Sequence, residues 1–213
     1  MSVPQIQPPR DVAPHDWPDG WALPLIESPA TKPPTRRALL ARLAAASEGA
    51  APQFFTADAY ETFAAACARL VPSAGLGGVV DVAPAIDARL AAGTGDGWRY
   101  AVLPPDGEAF RRGVAALDAA AAEAHAERFC DLAGPDQDAI LADAQHARGA
   151  FASLNGLDTR FWFADWLSEA AGLFFGHPLA QQDIGYAGFA DAPGWQRIRL
   201  GEREDREPAE NAV

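Results

Sequence analysis

One run of residues limits what this chain can become: DTRFWFADWLSEAAGLFFGHPLAQQDIGYAGFADAPGW, positions 158–195. In its first half Phe161, Trp162, Trp166, Ala170, Leu173 and Phe174 recur at three- and four-residue steps, the spacing of one helix face. Asp158 or Thr159 can cap its start by accepting a backbone N–H that has no partner inside the helix. Gly176-His177-Pro178 stops it, because proline disfavours helical geometry in the residue before it and has no N–H to donate. Beyond that stop, Ile184-Gly185-Tyr186-Ala187-Gly188-Phe189 predicts ordered, irregular structure folded against the helix end. So much aromatic surface must be covered, either by the chain's own helices or by a second protein.

The rest of the chain is expected to be helical too. At 213 residues and 49% hydrophobic it can bury a substantial core. Alanine is abundant and β-branched residues are sparse, which favours helix over strand. The expectation is an all-α fold: a single irregular helical domain of about six helices over 35–200, with an extended arm at 1–34 and a charged tail at 201–213. Proline density in the arm argues against helix there, while Trp17 and Trp21 suggest that it docks on a surface, its own or a partner's.

Periodicity places the remaining helices. The first spans 35–47, with Leu39, Leu40 and Leu43 inward. The second is capped by Thr56, buries Tyr60, Phe63, Cys67, Leu70 and Val71, and ends at Pro72. The third covers 79–92, with Val82, Ile86 and Leu90 inward and Pro84 in its first turn. The fourth, 108–127, carries a narrow seam of Phe110, Val114, Leu117, Ala121 and Ala124, with Arg111, Arg112, Asp118 and Glu123 toward solvent. The fifth opens at Pro135 and packs Ile140, Leu141 and Ala144. Residues 196–200 alternate polar and apolar and can form one short extended segment.

Charge and motifs exclude several functions. A formal charge of −12, with no basic stripe, argues against a nucleic-acid partner. No apolar run approaches the ~20 residues of a membrane-spanning helix. Thr35-Arg36-Arg37-Ala38-Leu39-Leu40 resembles a twin-arginine export motif, but Arg42 and Glu48 interrupt the apolar run after it. With no convincing export signal, the chain is expected in the cytoplasm unless a partner carries it out. Gly75-Leu76-Gly77-Gly78 lacks the lysine and preceding strand of a phosphate loop. Cys67 and Cys130 read as free thiols in helical surroundings, with no C-x-x-C for metal or redox work. No two of His15, His125, His146 and His177 lie at metal-ligand spacing. There is no G-x-S-x-G, H-E-x-x-H or C-x-x-C-H motif, and no G-x-G-x-x-G after a strand. The expectation is therefore no catalytic, cofactor-binding or metal site in this chain.

What remains is aromatic surface without chemistry to employ it. Trp17, Trp21, Trp98, Tyr100, Trp162, Trp166, His177, Tyr186, Phe189 and Trp195 are the candidate partner contacts, since aromatics are enriched at the centres of interfaces. His177 also suits the terminal carbonyls of the helix before it. One alternative is a stand-alone enzyme with a shallow pocket near His177, Asp183 and Tyr186; another is a helical interaction module for some other protein.

Several pieces recur together, in order, over roughly 35–200. They are Phe54-Phe55-Thr56-Ala57-Asp58; Arg69-Leu70-Val71-Pro72; and Tyr100 before the run from Phe110-Arg111-Arg112-Gly113-Val114 to Leu117-Asp118. Phe174-Phe175-Gly176-His177-Pro178, then Ile184-Gly185-Tyr186-Ala187-Gly188 and Gly194-Trp195, complete the set. This pattern resembles the gluconate 2-dehydrogenase subunit 3 family. The resemblance implies a small, mainly helical, cofactor-free subunit without catalytic residues. It further implies a large FAD-dependent partner of the glucose–methanol–choline (GMC) type that oxidises sugars, often with a cytochrome c subunit that takes the electrons. The small subunit would help the flavoprotein fold, assemble or be exported.

Overall fold

The computed structural model describes residues 20–44, 51–71, 80–95, 99–154, 156–192, 194, 197 and 199–202. Among them are eight α-helices and no strand. The chain divides into two compact units, a larger one of Ala44–His177 and a smaller one joining Met1–Leu43 to Pro178–Val213.

The larger unit is built on α3 (Ala57–Leu70), α4 (Ala83–Ala92), α5 (Asp106–His125), α6 (Gly134–Gln145) and α7 (Thr159–Phe175). Thr56 caps α3 by accepting the Ala59 N–H at 3.3 Å, and Phe63, Ala66 and Cys67 form its buried face. α4 begins four residues later than its periodicity suggested: Val80 and Val82 are buried ahead of the helix, and proline stands in its first turn. Gly93, at φ +62°, ends it in the left-handed region that glycine adopts without a Cβ clash. α5 buries Phe110, Val114, Leu117 and Ala121 as expected, together with Gly113. Its seam stops at Ala121, because Ala124 lies in the exposed final turn. α6 carries proline in its first turn and buries Ile140, Leu141 and Ala144. α3 packs against α5, α6 and α7, and α5 against α6 and α7.

Two carboxylates hold irregular backbone to these helices. Asp87, 2% exposed on α4, accepts backbone N–H bonds from Gln53 at 2.5 Å, Phe54 at 3.1 Å and Phe55 at 3.1 Å. Asp118 does not face solvent as its place on the helix suggested. It accepts the Thr62 hydroxyl at 2.8 Å and the Phe129 N–H at 3.1 Å, joining α3 and the 3₁₀ turn Phe129–Asp131 to α5. Cys67 is buried and Cys130 half-buried, and both are free thiols.

The smaller unit corrects two expectations. Residues 22–27, read as extended arm, form a short helix, α1 (Ala22–Glu27). Pro24 fits because the first-turn N–H groups have no intrahelical partner to lose. Likewise Pro178, read only as a stop signal, opens α8 (Pro178–Asp183). α2 (Pro33–Ala44) forms in place of the first expected helix, but Leu39 is its only fully buried residue. α1 packs on α8, and Trp21, Ala22, Ile26 and Leu39 close a small core with Ala187 and Phe189.

Candidate partner-binding surface

α7 sorts its aromatic residues onto two faces. Trp162 is 1% exposed and Trp166 is fully buried, with Phe163, Ala170 and Phe174 beside them. The Trp162 and Trp166 rings lie 5.3 Å apart, and Trp166 stacks on Phe63 at 5.5 Å. The Trp162 indole covers Gly113 so closely that a Cβ there would fall inside the ring. These two tryptophans, read as candidate partner contacts, are therefore the core of the larger unit, hidden by the chain's own helices. Phe163, which the expected aromatic face left out, is buried, whereas Phe161 and Leu173, placed on one face with the two tryptophans, are exposed. The buried positions 159, 162, 163, 166, 170 and 174 follow the helical repeat as well as the expected set does. With aromatics at three consecutive positions, spacing alone could not choose between neighbouring faces.

The outer face of α7 carries Phe161 at 37% exposure and Phe175 at 50%, with exposed Ala164, Ser168 and Gly172 between them; Leu173, 36% exposed, lies on another side of the helix. The Tyr100 ring packs on Phe161 at 4.5 Å. Beside this stripe lies a groove of about 390 Å³, lined by Arg89, Gly95, Tyr100, Asp106, Ala164, Asp165, Ser168 and Glu169.

Arg89 organises the groove. Its Nε and Nη2 donate to the two Glu169 carboxylate oxygens, the latter at 2.7 Å, and its Nη1 donates to Asp106 Oδ2 at 2.9 Å and to the Thr94 carbonyl at 3.0 Å. Burial disfavours the guanidinium charge, but the bonds to Glu169 and Asp106 outweigh it and hold the group above the usual arginine value. The guanidinium thus tethers α4 to α7 and to the start of α5. Nothing in the sequence pattern pairs Arg89 with Glu169, 80 positions away.

Two groups elsewhere in the larger unit are held in their protonated forms at neutral pH. Burial, followed by the Asp81 and Asp87 carboxylates, pushes the Tyr60 phenol up to about 12. Burial likewise pushes the Cys67 thiol far above its usual range. Neither group is primed for proton transfer or nucleophilic attack. Among the described residues, no group of three or more His, Cys, Asp or Glu could hold a metal ion. No described helix is long and apolar enough to cross a membrane.

The other sequence candidates fall elsewhere. Trp21 is buried in the smaller unit, stacked on Phe189 at 5.9 Å, and its indole N–H donates to the Gln182 carbonyl at 3.3 Å. The described part of the leading segment thus docks within its own unit. Tyr186 is half exposed and lies over Gly188. His177 closes the larger unit, its backbone N–H bonded to the Phe174 carbonyl at 2.9 Å. Asp183 and Tyr186, grouped with His177 in the alternative enzyme reading, belong to the smaller unit. Trp17, Trp98 and Trp195 lie outside the described residues, as do residues 75–78, 196 and 198.

The fold and this surface define a class: an all-α chain with a closed aromatic core and an outward helix face that is aromatic at its ends and acidic along one side. Residues 57–194 match the family model described as gluconate 2-dehydrogenase subunit 3, and the chain belongs to that family. No curated protein and no solved structure matches it. A family of subunits implies a multi-subunit complex.

Proposed function

We propose that this chain is the non-catalytic small subunit of a sugar-oxidising complex. It binds and stabilises a large FAD-dependent dehydrogenase of the GMC type, helps it assemble, and can accompany it in export. The FAD resides in that partner, and a cytochrome c subunit can receive its electrons. The observation that carries this reading is the family match over residues 57–194, in a chain whose Asp87, Asp118 and Glu169 carboxylates serve structural bonds. The exposed aromatic face of α7 supports it, since a subunit needs a surface that its own core leaves uncovered.

Co-expression tests the reading. The host's GMC flavoprotein is produced with and without this chain, and soluble yield, bound FAD and sugar-dependent dye reduction are measured. The expected result is a stable complex, with flavoprotein yield and activity that depend on this chain. Equal yield and activity without it would remove the stabilising role. Sugar oxidation by the purified chain alone would replace the proposal with the enzyme reading.

A further inference from the structure

We infer that Thr35-Arg36-Arg37-Ala38-Leu39-Leu40, the stretch that resembles a twin-arginine export motif, is a latch that closes the smaller unit and is not read as an export signal. This goes beyond the subunit reading and does not rest on it. Whatever partner the chain has, export does not run through this segment.

An export signal of this kind is a receptor-read address, so its paired arginines and the apolar run behind them must stand free of the fold. Here the segment is part of α2, and four of its six side chains are engaged inside the smaller unit. The Thr35 hydroxyl donates to Asp191 Oδ2 at 3.0 Å. Arg36 Nη2 donates to the Ser28 carbonyl at 2.6 Å and to the Thr31 carbonyl at 3.1 Å, and the Nε of the same guanidinium is shielded from solvent. Leu39 is buried in the small core with Trp21, Ile26, Ala187 and Phe189, and Leu40 packs against it. Of the six, Arg37 and Ala38 alone are exposed.

The bonds place this segment where a latch is needed. Residues 28–32 join α1 to α2 and have no helix of their own to order them. The Ser28 and Thr31 hydroxyls both donate to the Leu25 carbonyl, at 2.8 and 2.9 Å, which closes the end of α1. Arg36 adds a charged donor to the carbonyls of the same two residues, and a charged donor bonds more strongly than a neutral one. Thr35 fastens the other side: Asp191 accepts its hydroxyl and, at 2.8 Å, the Lys32 backbone N–H. Neighbouring residues of the motif thus tie the α1–α2 connection to itself and to the far end of the chain. Partial burial of a guanidinium is costly without such partners, so position 36 has a structural reason to be arginine. Position 37 has none. The two arginines are equivalent in the motif and unequal in the fold, and that inequality separates the two readings.

The test uses the full chain, with Arg36→Lys and Arg37→Lys as paired variants, each checked for folding by circular dichroism. Lysine keeps the charge but lacks the flat guanidinium fork. Arg36→Lys should therefore loosen the connection, and the Thr31 and Lys32 amides should exchange at least about fivefold faster. Arg37→Lys should leave both amides unchanged. Each chain is also fused at its carboxyl end to a reporter that is active only outside the cytoplasm, in a host with a working twin-arginine export pathway. The exported fraction of Arg37→Lys should equal that of the unmodified chain, zero included. If Arg37→Lys instead empties the exported fraction while the amides stay protected, the segment is a signal and the inference falls. If Arg36→Lys leaves the two amides as protected as before, Arg36 does not hold the latch and the inference falls as well. Failure of the chain to stabilise a flavoprotein would remove the subunit reading and leave this one untouched.

Discussion

The larger and smaller units are held together in different ways. In the larger, α3, α5 and α7 join in a contiguous aromatic cluster in which Trp166 touches Trp162, Phe163, Phe63 and Phe110. In the smaller, a short helix near one end of the chain is held to residues near the other by one ring pair and a few hydrogen bonds spanning about 160 positions. The first arrangement is cooperative, because removing one ring leaves a hole that every neighbour feels. The second is a clasp that can open locally without unfolding the core.

Trp162→Ala should break the larger unit most severely. The ring is 1% exposed, so its loss removes a large apolar contact and leaves a cavity. The expected cost is about 3–5 kcal/mol, read as a lower denaturant midpoint. Gly113→Ala attacks the same contact from the other side. Alanine is the better helix former, but its methyl group would occupy the space of the Trp162 indole. A net loss of about 1–3 kcal/mol is expected, and a gain would mean that the ring can move aside freely.

Asp87→Ala removes the acceptor of three backbone N–H groups at 53–55. The helices keep their own bonds, so the loss should be smaller, about 2–3 kcal/mol, with faster hydrogen exchange concentrated at those amides. An unchanged exchange rate there would show that the carboxylate does not hold the loop.

Trp21→Ala sharpens the contrast between the units. Its ring stacks on Phe189 and its N–H reaches Gln182. About 2 kcal/mol should be lost from the smaller unit's local stability, on the scale of burying one large side chain. The amide of Ala192, bonded to the Ala30 carbonyl at 2.8 Å, should exchange faster, while the melting of the larger unit stays nearly unchanged. An equal drop for both units would mean that they unfold as one.

The same contrast explains what was legible in the sequence. The larger unit's helices are long, and Phe63, Cys67, Phe110, Val114 and Leu117 announce their buried faces by spacing. Where aromatics crowd consecutive positions, as at 161–163, spacing lost its power and grouped Phe161 on one face with Trp162 and Trp166, from which the fold separates it. Asp87 and Asp118 escaped because a carboxylate on a helix reads as solvent-facing until the backbone that it serves is known. α1 and α8, six residues each, are too short to show a period, and the proline in each reads as a breaker although a first turn accepts it. Their partnership joins the two ends of the chain, and no local pattern encodes that. Of the candidate tryptophans within the described residues, Trp21, Trp162 and Trp166 are core, and the face that stays exposed emerges only once the core has taken its share.

The smallest and most specific effect concerns Asp191, the polar half of the clasp. Its carboxylate accepts the Lys32 backbone N–H at 2.8 Å and the Thr35 hydroxyl at 3.0 Å. Those bonds, the Lys32 N–H foremost, favour the charged form and hold the group below its usual value of 3.8. A carboxylate whose value is lowered by folding contributes its stabilisation above the unfolded value and loses it as pH falls through the folded one. The clasp should therefore be intact at neutral pH and loosen only below about pH 4, the ordinary aspartate range. Asp191→Asn should make the exchange of the Lys32 amide faster at neutral pH and remove its acid dependence, because the amide oxygen accepts more weakly and does not titrate in that range. If the Lys32 amide instead stays equally protected from pH 6 to pH 3 in the unmodified chain, the ring stack alone holds the clasp, and the two units differ less than their contacts indicate.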